Sequence, residues 1–174
     1  MPEVADVRAA KRIAVVGSPG SGKSTLSRLI AARTGLPLIH LDREHWRPGW
    51  VEPPLDEWRA TQLALVERDL WMIDGNYGPE LAMRAARADV IVWLDLATAL
   101  CLFRIVRRVI TVRGRVRPDM APGCPERLDP AFLRYVATFR SKQRPLMIER
   151  LAEARGRVIQ LRTRREVRAF AAAL

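Results

Sequence analysis

The sequence feature that most constrains the fold of this chain is a glycine-rich segment with a single lysine. Residues 17–25 read Gly-Ser-Pro-Gly-Ser-Gly-Lys-Ser-Thr and match the pattern Gly-x-x-x-x-Gly-Lys-Ser/Thr. A short run rich in β-branched residues, 12–16, precedes the segment, and apolar residues at helical spacing follow it as far as Gly35. The sequence therefore predicts a strand, a phosphate-binding loop and a helix in succession.

Each residue type in this segment suits a role in binding a nucleoside triphosphate. Backbone N–H groups of the loop and the N-terminus of the following helix favour a phosphate group. Lys23 is expected to reach the β- and γ-phosphates of ATP, and the Ser24 hydroxyl is expected to ligate Mg²⁺. ATP and Mg²⁺ are therefore the predicted cofactors. The other residues of the segment that are expected to contact ATP are Gly17, Ser18, Pro19, Gly20, Ser21, Gly22 and Thr25.

Four further apolar runs predict the remaining strands of a sheet. They are residues 36–41, 71–73, 90–94 and 157–161. Helical patterns at 56–70 and 98–112 separate these runs, and strands that alternate with helices are typical of a parallel α/β sheet with crossover helices. Ligands bind at the carboxyl ends of the strands in such sheets. We therefore expect the polar residues that follow the runs to lie in the site.

The length of 174 residues predicts a single domain, 1–174. Residues 113–130 are rich in Gly and Pro and are expected to form a lid. A long helix is expected after the lid, with a break near Pro145. An acceptor-binding insertion is expected at about 43–70. The predicted core comprises the segments 11–42, 71–112 and 154–174.

Acidic residues follow two of the predicted strands. Asp42 and Asp74 come after the second and third runs, so neighbouring parallel strands would bring both carboxylates near the phosphates. Each could orient water bound to Mg²⁺, and Asp42 could instead accept a proton from the hydroxyl group of an acceptor. Helix capping is the alternative interpretation of both residues. Asp95 also follows a strand, but its apolar surroundings favour a structural role.

Arginines cluster on the helix that leads into the predicted lid. Arg104, Arg107 and Arg108 are three and four residues apart and share one helical face. Phosphoryl transfer places negative charge on the equatorial oxygens, and arginines carried by a closing lid stabilise that charge. Further candidates for this role are Arg113, Arg115, Arg117 and Arg127 in the lid and Arg140 and Arg144 on the next helix. A basic face in contact with solvent is the alternative.

The chain carries 30 Lys and Arg against 19 Asp and Glu, a formal net charge of +11. This charge suits a polyphosphate pocket and also permits nucleic-acid binding. No apolar run is long enough for a membrane span and no signal peptide is apparent, so a cytoplasmic location is expected. The two cysteines, Cys101 and Cys124, indicate neither a disulfide framework nor a zinc site.

Several motifs outside the glycine-rich segment are similar to those of known kinases. They are His40-Leu41-Asp42, Trp46-Arg47-Pro48-Gly49-Trp50, Ile73-Asp74-Gly75-Asn76-Tyr77, Arg117-Pro118-Asp119-Met120 and Gly123-Cys124-Pro125-Glu126. On these residues the chain resembles the adenylate kinase-like P-loop kinases, and within them the DNA topology modulation proteins (FlaR-like). The resemblance implies a three-layer α/β/α P-loop NTPase sandwich with a five-stranded parallel sheet, as in nucleoside monophosphate kinases, and a helical or irregular lid.

The resemblance also implies roles for individual residues. Asp74 would help to hold Mg²⁺ through water, and Arg127 would act at the exit of the lid. The residues for which the resemblance implies contact with ATP, either with its phosphates or with adenine, are Arg104, Arg108, Arg162 and Thr163.

The sequence departs from the adenylate kinase pattern on the acceptor side. After Asp74-Gly75 those kinases continue Phe-Pro-Arg, whereas this chain continues Asn76-Tyr77-Gly78 and lacks the arginine that holds the phosphate of a nucleoside monophosphate. The tryptophans of this region could stack on a base or sugar, or they could simply pack. The predicted acceptor-binding residues are Asp42, Arg43, Trp46, Arg47, Trp50 and Asn76.

The favoured function is that of a kinase that transfers the γ-phosphoryl group of Mg-ATP to a small acceptor, which is a nucleotide, a nucleoside or another hydroxyl compound. The alternative is a nucleic-acid-linked ATPase that affects DNA topology, but the sequence has no recognised nucleic-acid-binding motif. A nucleotide-binding switch without turnover is disfavoured by the arginine-rich lid. The predicted partner is therefore a small molecule, with nucleic acid possible but not favoured.

Overall fold

The computed structural model describes residues 2–174 and shows one five-stranded sheet. Its strands are β1 (Arg12–Gly17), β2 (Leu38–His40), β3 (Trp71–Asp74), β4 (Val90–Leu94) and β5 (Arg157–Leu161). They lie in the order β2-β3-β1-β4-β5, and every neighbouring pair is parallel. The helices are α1 (Pro2–Ala9), α2 (Lys23–Thr34), α3 (Leu41–His45), α4 (Leu55–Val66), α5 (Leu81–Arg87), α6 (Thr98–Val112), α7 (Pro130–Leu151) and α8 (Arg164–Ala173).

The alternation of side chains along the central strand β1 explains the three layers. Ala14 and Val16 belong to an apolar cluster with residues of α4, α5 and α7, including Phe139. Ile13 and Val15 belong to a second cluster with residues of α1, α2 and α8 on the opposite face. A parallel sheet covered on both faces needs apolar side chains on both, which is why these strands appear as continuous apolar runs. The predicted α/β/α sandwich with a five-stranded parallel sheet is confirmed.

The register of the sheet brings the ends of three strands together. Val15 of β1 pairs with Asp74 of β3, and His40 of β2 pairs with the same Asp74. The chain leaves each strand within two residues of these pairs and turns over the carboxyl edge of the sheet, where ligands bind in such folds. The segments that leave the sheet at this edge are 17–22, 41–42 and 75–77.

The structure differs from the predicted elements at two places that matter for the site. Strand β2 ends at His40, so Asp42 lies in the short helix α3 and not at the end of a strand. Helix α7 continues through Pro145 without the predicted break. Phe139 and Met147, on either side of this proline, pack into the same apolar cluster.

Residues 113–129 form neither helix nor strand and are called the lid segment below. Two backbone hydrogen bonds close its base, from Gly114 N to Glu126 O (3.0 Å) and from Glu126 N to Arg115 O (2.9 Å). A second irregular segment, residues 46–51, precedes α4 and is called the insertion turn. None of the helices in residues 2–174 has the length and apolar character needed to cross a membrane.

We expect the substitution Gly17→Ala to destabilise the protein strongly. Gly17 has a φ of +141°, and an added Cβ would lie 2.3 Å from the Leu94 carbonyl oxygen in the neighbouring strand β4. Because that oxygen belongs to the backbone of the sheet, the loop must move, which would lower the free energy of unfolding by about 3 kcal/mol.

The matched control for this change is Gly35→Ala, at the end of α2. Gly35 also has a positive φ, +72°, but nothing lies within 4 Å of its Cβ position. The control should therefore lose only about 1 kcal/mol, the cost of a left-handed conformation. Urea unfolding measures both variants, and equal losses would contradict the importance of the contact between Gly17 and Leu94.

Candidate active site

The side chain of Lys23 folds back over the glycine-rich loop. Its Nζ donates hydrogen bonds to Gly17 O at 2.8 Å and to Ser18 O at 3.2 Å. Burial lowers the pKa of Lys23, and the negative charges of Asp74 and Asp42 oppose this shift. The structure therefore brings the lysine of the loop together with the two acids that follow β2 and β3.

The side-chain amide of Asn76 binds the start of the loop at two points. Asn76 Oδ1 accepts a hydrogen bond from Gly17 N at 2.9 Å, and Asn76 Nδ2 donates to Gly17 O at 2.7 Å. The backbone partners determine which amide atom is oxygen and which is nitrogen. Asn76 was predicted to bind the acceptor, but in this structure its amide is occupied by the loop.

Asp74 lies almost fully buried at the end of β3. Its Oδ2 is 2.8 Å from His40 Nδ1, whereas its Oδ1 is buried and has no hydrogen-bond partner among residues 2–174. An unpartnered buried carboxylate oxygen is costly, and such an oxygen is suited to accept hydrogen bonds from water bound to Mg²⁺. With the Ser24 hydroxyl in the first turn of α2, the donors fit the predicted metal ion.

Asp42 is held by a tyrosine that the sequence did not mark as functional. Tyr77 OH donates to Asp42 Oδ1 at 2.9 Å. Burial raises the pKa of Asp42, while Lys23 and the Tyr77 hydrogen bond act to lower it. Burial and the Asp42 charge raise the pKa of Tyr77 well above its ordinary value, so this hydroxyl keeps its proton and remains a donor at neutral pH.

The two predicted arginines of α6 have different partners. Arg104 Nη1 donates to Ser21 O at 2.7 Å and thereby contacts the glycine-rich loop. Arg108 donates from Nε and Nη2 to Glu126 Oε1 of the lid segment, at 3.0 and 2.8 Å. Burial and the neighbouring Arg117 lower the pKa of Arg108. One arginine thus binds the loop and the other binds the lid segment.

Charged residues of the lid segment form a buried network above α2. Glu126 is also paired with Arg117 Nε at 2.8 Å, and Arg117 Nη1 donates to Asp119 Oδ2 at 2.7 Å. Asp119 Oδ1 lies 3.9 Å from Arg28 Nη1, one turn after Ser24 on α2. Burial tends to raise the pKa of Asp119, but Arg117 and the Ser24 hydroxyl help to hold it below its usual value.

Asp119 and Glu126 were not among the sequence-predicted site residues. Both are buried, at 7% and 6% exposure, although they lie in an irregular segment rich in Gly and Pro. Both acids lie in motifs on which the chain resembles known kinases, residues 117–120 and 123–126, but the resemblance implied no role for either acid. The interleaving of acids and arginines in this segment is a weak signal of burial, because alternating charges in a loop are usually exposed to solvent.

The lid segment packs on the insertion turn. Gly49 N donates to Gly123 O at 2.9 Å, and Trp50 Nε1 donates to Pro125 O at 3.3 Å. The apolar part of this contact consists of Met120, Ala121 and Cys124 with Trp46 and Trp50. The Arg127 guanidinium lies 5.4 Å from the centre of the Trp50 ring. In this structure the two tryptophans and Arg127 therefore join the lid segment to the insertion turn.

The other predicted residues have local partners. Arg43 is exposed, and Arg47 Nη2 pairs with the exposed Glu57 at 2.5 Å. After β5, Thr163 Oγ1 accepts from Glu166 N at 3.1 Å and caps α8. Arg162 donates from its backbone N to the Glu166 carboxylate at 2.6 Å.

Asp95, which follows β4, has the structural role favoured by the sequence. It accepts hydrogen bonds from Arg144 Nε at 3.0 Å and Nη2 at 2.9 Å, and from Gln160 Nε2 at 2.8 Å. These contacts connect β4 with α7 and β5. Both carboxylate oxygens are used, so Asp95 joins β4 to these two elements.

Three solved structures with a similar architecture are kinases. A shikimate kinase from Acinetobacter baumannii in complex with shikimate matches with a TM-score of 0.58 and 19% sequence identity, over 98% of this chain and 93% of that chain. A shikimate kinase from Bacteroides thetaiotaomicron matches with a TM-score of 0.57 and 16% sequence identity, over 95% of this chain and 96% of that chain. A deoxyadenosine kinase from M. mycoides with bound dATP matches with a TM-score of 0.56 and 15% sequence identity, over 93% of this chain and 98% of that chain. The fold is that of a P-loop kinase.

No protein-family model matches the sequence, and no curated protein matches it. The three structural matches cover more than nine tenths of each chain, so the P-loop kinase fold accounts for nearly all of this protein. At these levels of identity, the roles of individual residues rest on the geometry of this chain alone.

We expect Glu126→Gln to loosen the lid segment. The buried carboxylate lies between Arg108 and Arg117, and a neutral amide leaves both arginines without their common counterion. This loss lowers the free energy of local opening of the lid segment by about 2 kcal/mol. Amide hydrogen exchange in residues 113–129 should therefore become roughly 30-fold faster.

The matched control is Glu57→Gln. Glu57 and Arg47 form an ion pair in which both side chains are about half exposed, at 53% and 48%. Exposed pairs contribute less than about 1 kcal/mol, so exchange in the lid segment should hardly change. A lid segment that exchanges at the original rate in Glu126→Gln would show that the buried network does not hold it.

Proposed function

We propose that this protein is an ATP-dependent kinase that transfers the γ-phosphoryl group to a hydroxyl group of a small molecule. The observation that supports this most directly is the Asp42 carboxylate, which lies near the Lys23 ammonium and accepts a hydrogen bond from Tyr77. A carboxylate next to the phosphate-binding loop can accept the proton of a hydroxyl group that attacks the γ-phosphorus.

The glycine-rich loop, residues 17–25, would bind the phosphates of ATP through its backbone N–H groups. Lys23 would exchange its carbonyl partners in the loop for oxygens of the β- and γ-phosphates. Ser24 would ligate Mg²⁺ directly, and Asp74 would hold it through water. When bound, Mg²⁺ neutralises charge on the phosphates.

In the transfer step, Asp42 would accept the proton of the acceptor hydroxyl. The new bond joins the hydroxyl oxygen to the γ-phosphorus, and the bond between this phosphorus and the β-phosphate oxygen breaks, which releases ADP. Arg104 and Arg108 would stabilise the charge on the equatorial oxygens, with Arg127 contributing from the lid segment. The lid segment would exclude water, which otherwise competes with the acceptor.

The acceptor would bind between α3 and the lid segment. The structurally similar kinases are named for shikimate and deoxyadenosine, and we infer an acceptor of the same small size for this chain. We also propose that the protein is an adenylate kinase-like kinase related to the DNA topology modulation proteins, as its sequence motifs imply. The proposed acceptor-binding residues besides Asp42 are Arg43, Trp46, Arg47 and Trp50, and those proposed to contact adenine are Arg162 and Thr163.

The test of this proposal is the formation of ADP from Mg-ATP with and without a panel of acceptors. The panel contains nucleoside monophosphates, nucleosides, small hydroxyl compounds and duplex DNA, and mass spectrometry identifies any phosphorylated product. Lys23→Ala should abolish turnover, because it removes the cation on the phosphates. Lys142→Ala, which removes an exposed lysine of α7, is the matched control and should keep full activity.

An acceptor that raises ADP formation and appears as its own phosphate ester supports the kinase. If only DNA stimulates ADP formation and no phosphorylated product appears, the proposal is wrong. That result would favour the nucleic-acid-linked ATPase, which the net charge of +11 also permits.

We expect Tyr77→Phe to shift the pH dependence of phosphoryl transfer. Asp42 must be deprotonated to act as a base, so kcat/KM falls as the pH falls through its pKa. The Tyr77 hydrogen bond lowers the pKa of Asp42, and its loss raises that pKa further. The acidic limb of the profile should therefore move to higher pH.

Tyr135→Phe is the control for this measurement. Burial and the nearby Asp42 charge raise the pKa of Tyr135, but Tyr135 makes no hydrogen bond to Asp42. Its substitution should leave the acidic limb where it is. A shift of the same size in both variants would mean that Tyr77 does not act through its hydrogen bond.

A further inference from the structure

Arg84 of α5 is a charged residue that the sequence patterns did not predict to be functional and that has no part in the proposed transfer step. Its side chain is fully buried, with 0% exposure. Burial lowers the pKa of Arg84 to about 10, which leaves the group charged at neutral pH. A charge in the protein interior is costly unless its hydrogen bonds are satisfied, so the partners of this side chain indicate what it does.

The partners of Arg84 are mainly backbone carbonyls next to the site. Its Nη2 donates to Asn76 O and, at 3.3 Å, to Tyr77 O. Its Nη1 donates to Gln62 Oε1, and Gln62 Nε2 in turn donates to Glu80 Oε2 at 3.1 Å. The planar guanidinium thus connects α4 with the turn that follows β3, and Glu80 supplies a compensating charge nearby.

The turn that Arg84 binds carries two of the side chains that shape the site. Asn76 forms hydrogen bonds with the backbone N–H and C=O groups of Gly17 at the start of the glycine-rich loop. Tyr77 holds Asp42 and has a φ of +35°, a left-handed conformation that costs a bulky residue about 1–2 kcal/mol. Such a conformation persists only where surrounding contacts hold it, and the Arg84 hydrogen bonds are contacts of this kind.

We propose that Arg84 is a positioning residue that orients the phosphate-binding loop through Asn76 and the acceptor-activating carboxylate of Asp42 through Tyr77. The second part of this inference rests on the proposed kinase function, whereas the first part requires only that the loop binds nucleotide. One buried guanidinium would then set the distance between the donor phosphate and the group that accepts the proton of the acceptor.

The shape of the side chain explains why other residues would not substitute. Lysine has a single ammonium group, which cannot reach Gln62 and the two carbonyls in a planar arrangement. Methionine fills a similar volume but leaves the carbonyls of Asn76 and Tyr77 without a donor. The turn would then relax from the left-handed conformation and carry both side chains away from their partners.

The experiment compares Arg84→Met, Arg84→Lys and the control Arg12→Met in the full chain. Arg12 is partly buried, with 32% of its side chain exposed, and pairs with Asp89 at 3.1 Å, at the opposite end of β1 from the loop. The first readout is the dissociation constant of ADP with Mg²⁺, measured by calorimetry on protein shown to be folded. The second readout is the pKa of the Asp42 carboxyl group, obtained from the ¹³C NMR chemical shift of its carboxyl carbon as a function of pH. Neither readout requires the acceptor to be known.

Arg84→Met is expected to weaken ADP binding by about tenfold or more and to move the titration of Asp42 to higher pH, in the direction expected for Tyr77→Phe. Arg84→Lys should recover part of both effects, and Arg12→Met should show neither. Combined with Tyr77→Phe, Arg84→Met should shift the Asp42 titration no further, because both changes remove the same hydrogen bond.

The proposal is wrong if folded Arg84→Met keeps the original ADP affinity and Asp42 titration and loses only stability, since that is the result for a purely structural residue. If Arg84→Met does not fold, Gln62→Leu replaces it, because this change removes the Nη1 partner and leaves the arginine in place. Gln62→Leu should then give the same two shifts at smaller size, and their absence overturns the proposal. Altered ADP binding without any phosphorylated acceptor would support the positioning of the loop while rejecting the kinase.

Discussion

The geometry of the site depends on two hydrogen bonds between the amide of Asn76 and the backbone of Gly17. The N–H and C=O groups of Gly17 lie where β1 ends, and they need partners because the chain leaves the sheet there. Asn76 supplies both partners from the end of β3, the neighbouring strand. Since Lys23 also binds Gly17 O, one side chain determines the position of the loop and of its lysine.

Compensation of charge explains how such a basic chain builds a buried polar site. Lys23 is balanced by Asp74 and Asp42, and Arg108 of α6 and Arg117 of the lid segment share Glu126. Arg104 is different, because its guanidinium binds a backbone carbonyl, and burial together with the charges of Arg164 and Arg168 lowers its pKa. The rim of the loop therefore keeps a positive field that attracts a polyphosphate.

The fold and the loop could be predicted from the sequence because their signals are local. The apolar runs and the glycine-rich segment located the strands, and helix α6 has the predicted bounds, 98–112. The direction of the Asn76 side chain could not be predicted, because it depends on β1 lying next to β3. The roles of Tyr77 and Arg84 depend on contacts between segments distant in sequence, and a lone arginine in a helix gives no sign that it is buried.

The contact between the lid segment and the insertion turn physically links the glycine-rich loop to the proposed acceptor site. Glu126 anchors one end of the lid segment to α6, the helix whose Arg104 touches the glycine-rich loop. Trp50 and Gly49 anchor its middle to the insertion turn. A displacement of α6 on nucleotide binding would therefore move the lid segment together with the acceptor side. In the proposed kinase this arrangement would oppose hydrolysis, because the lid segment would exclude water only once both the donor and the acceptor were bound.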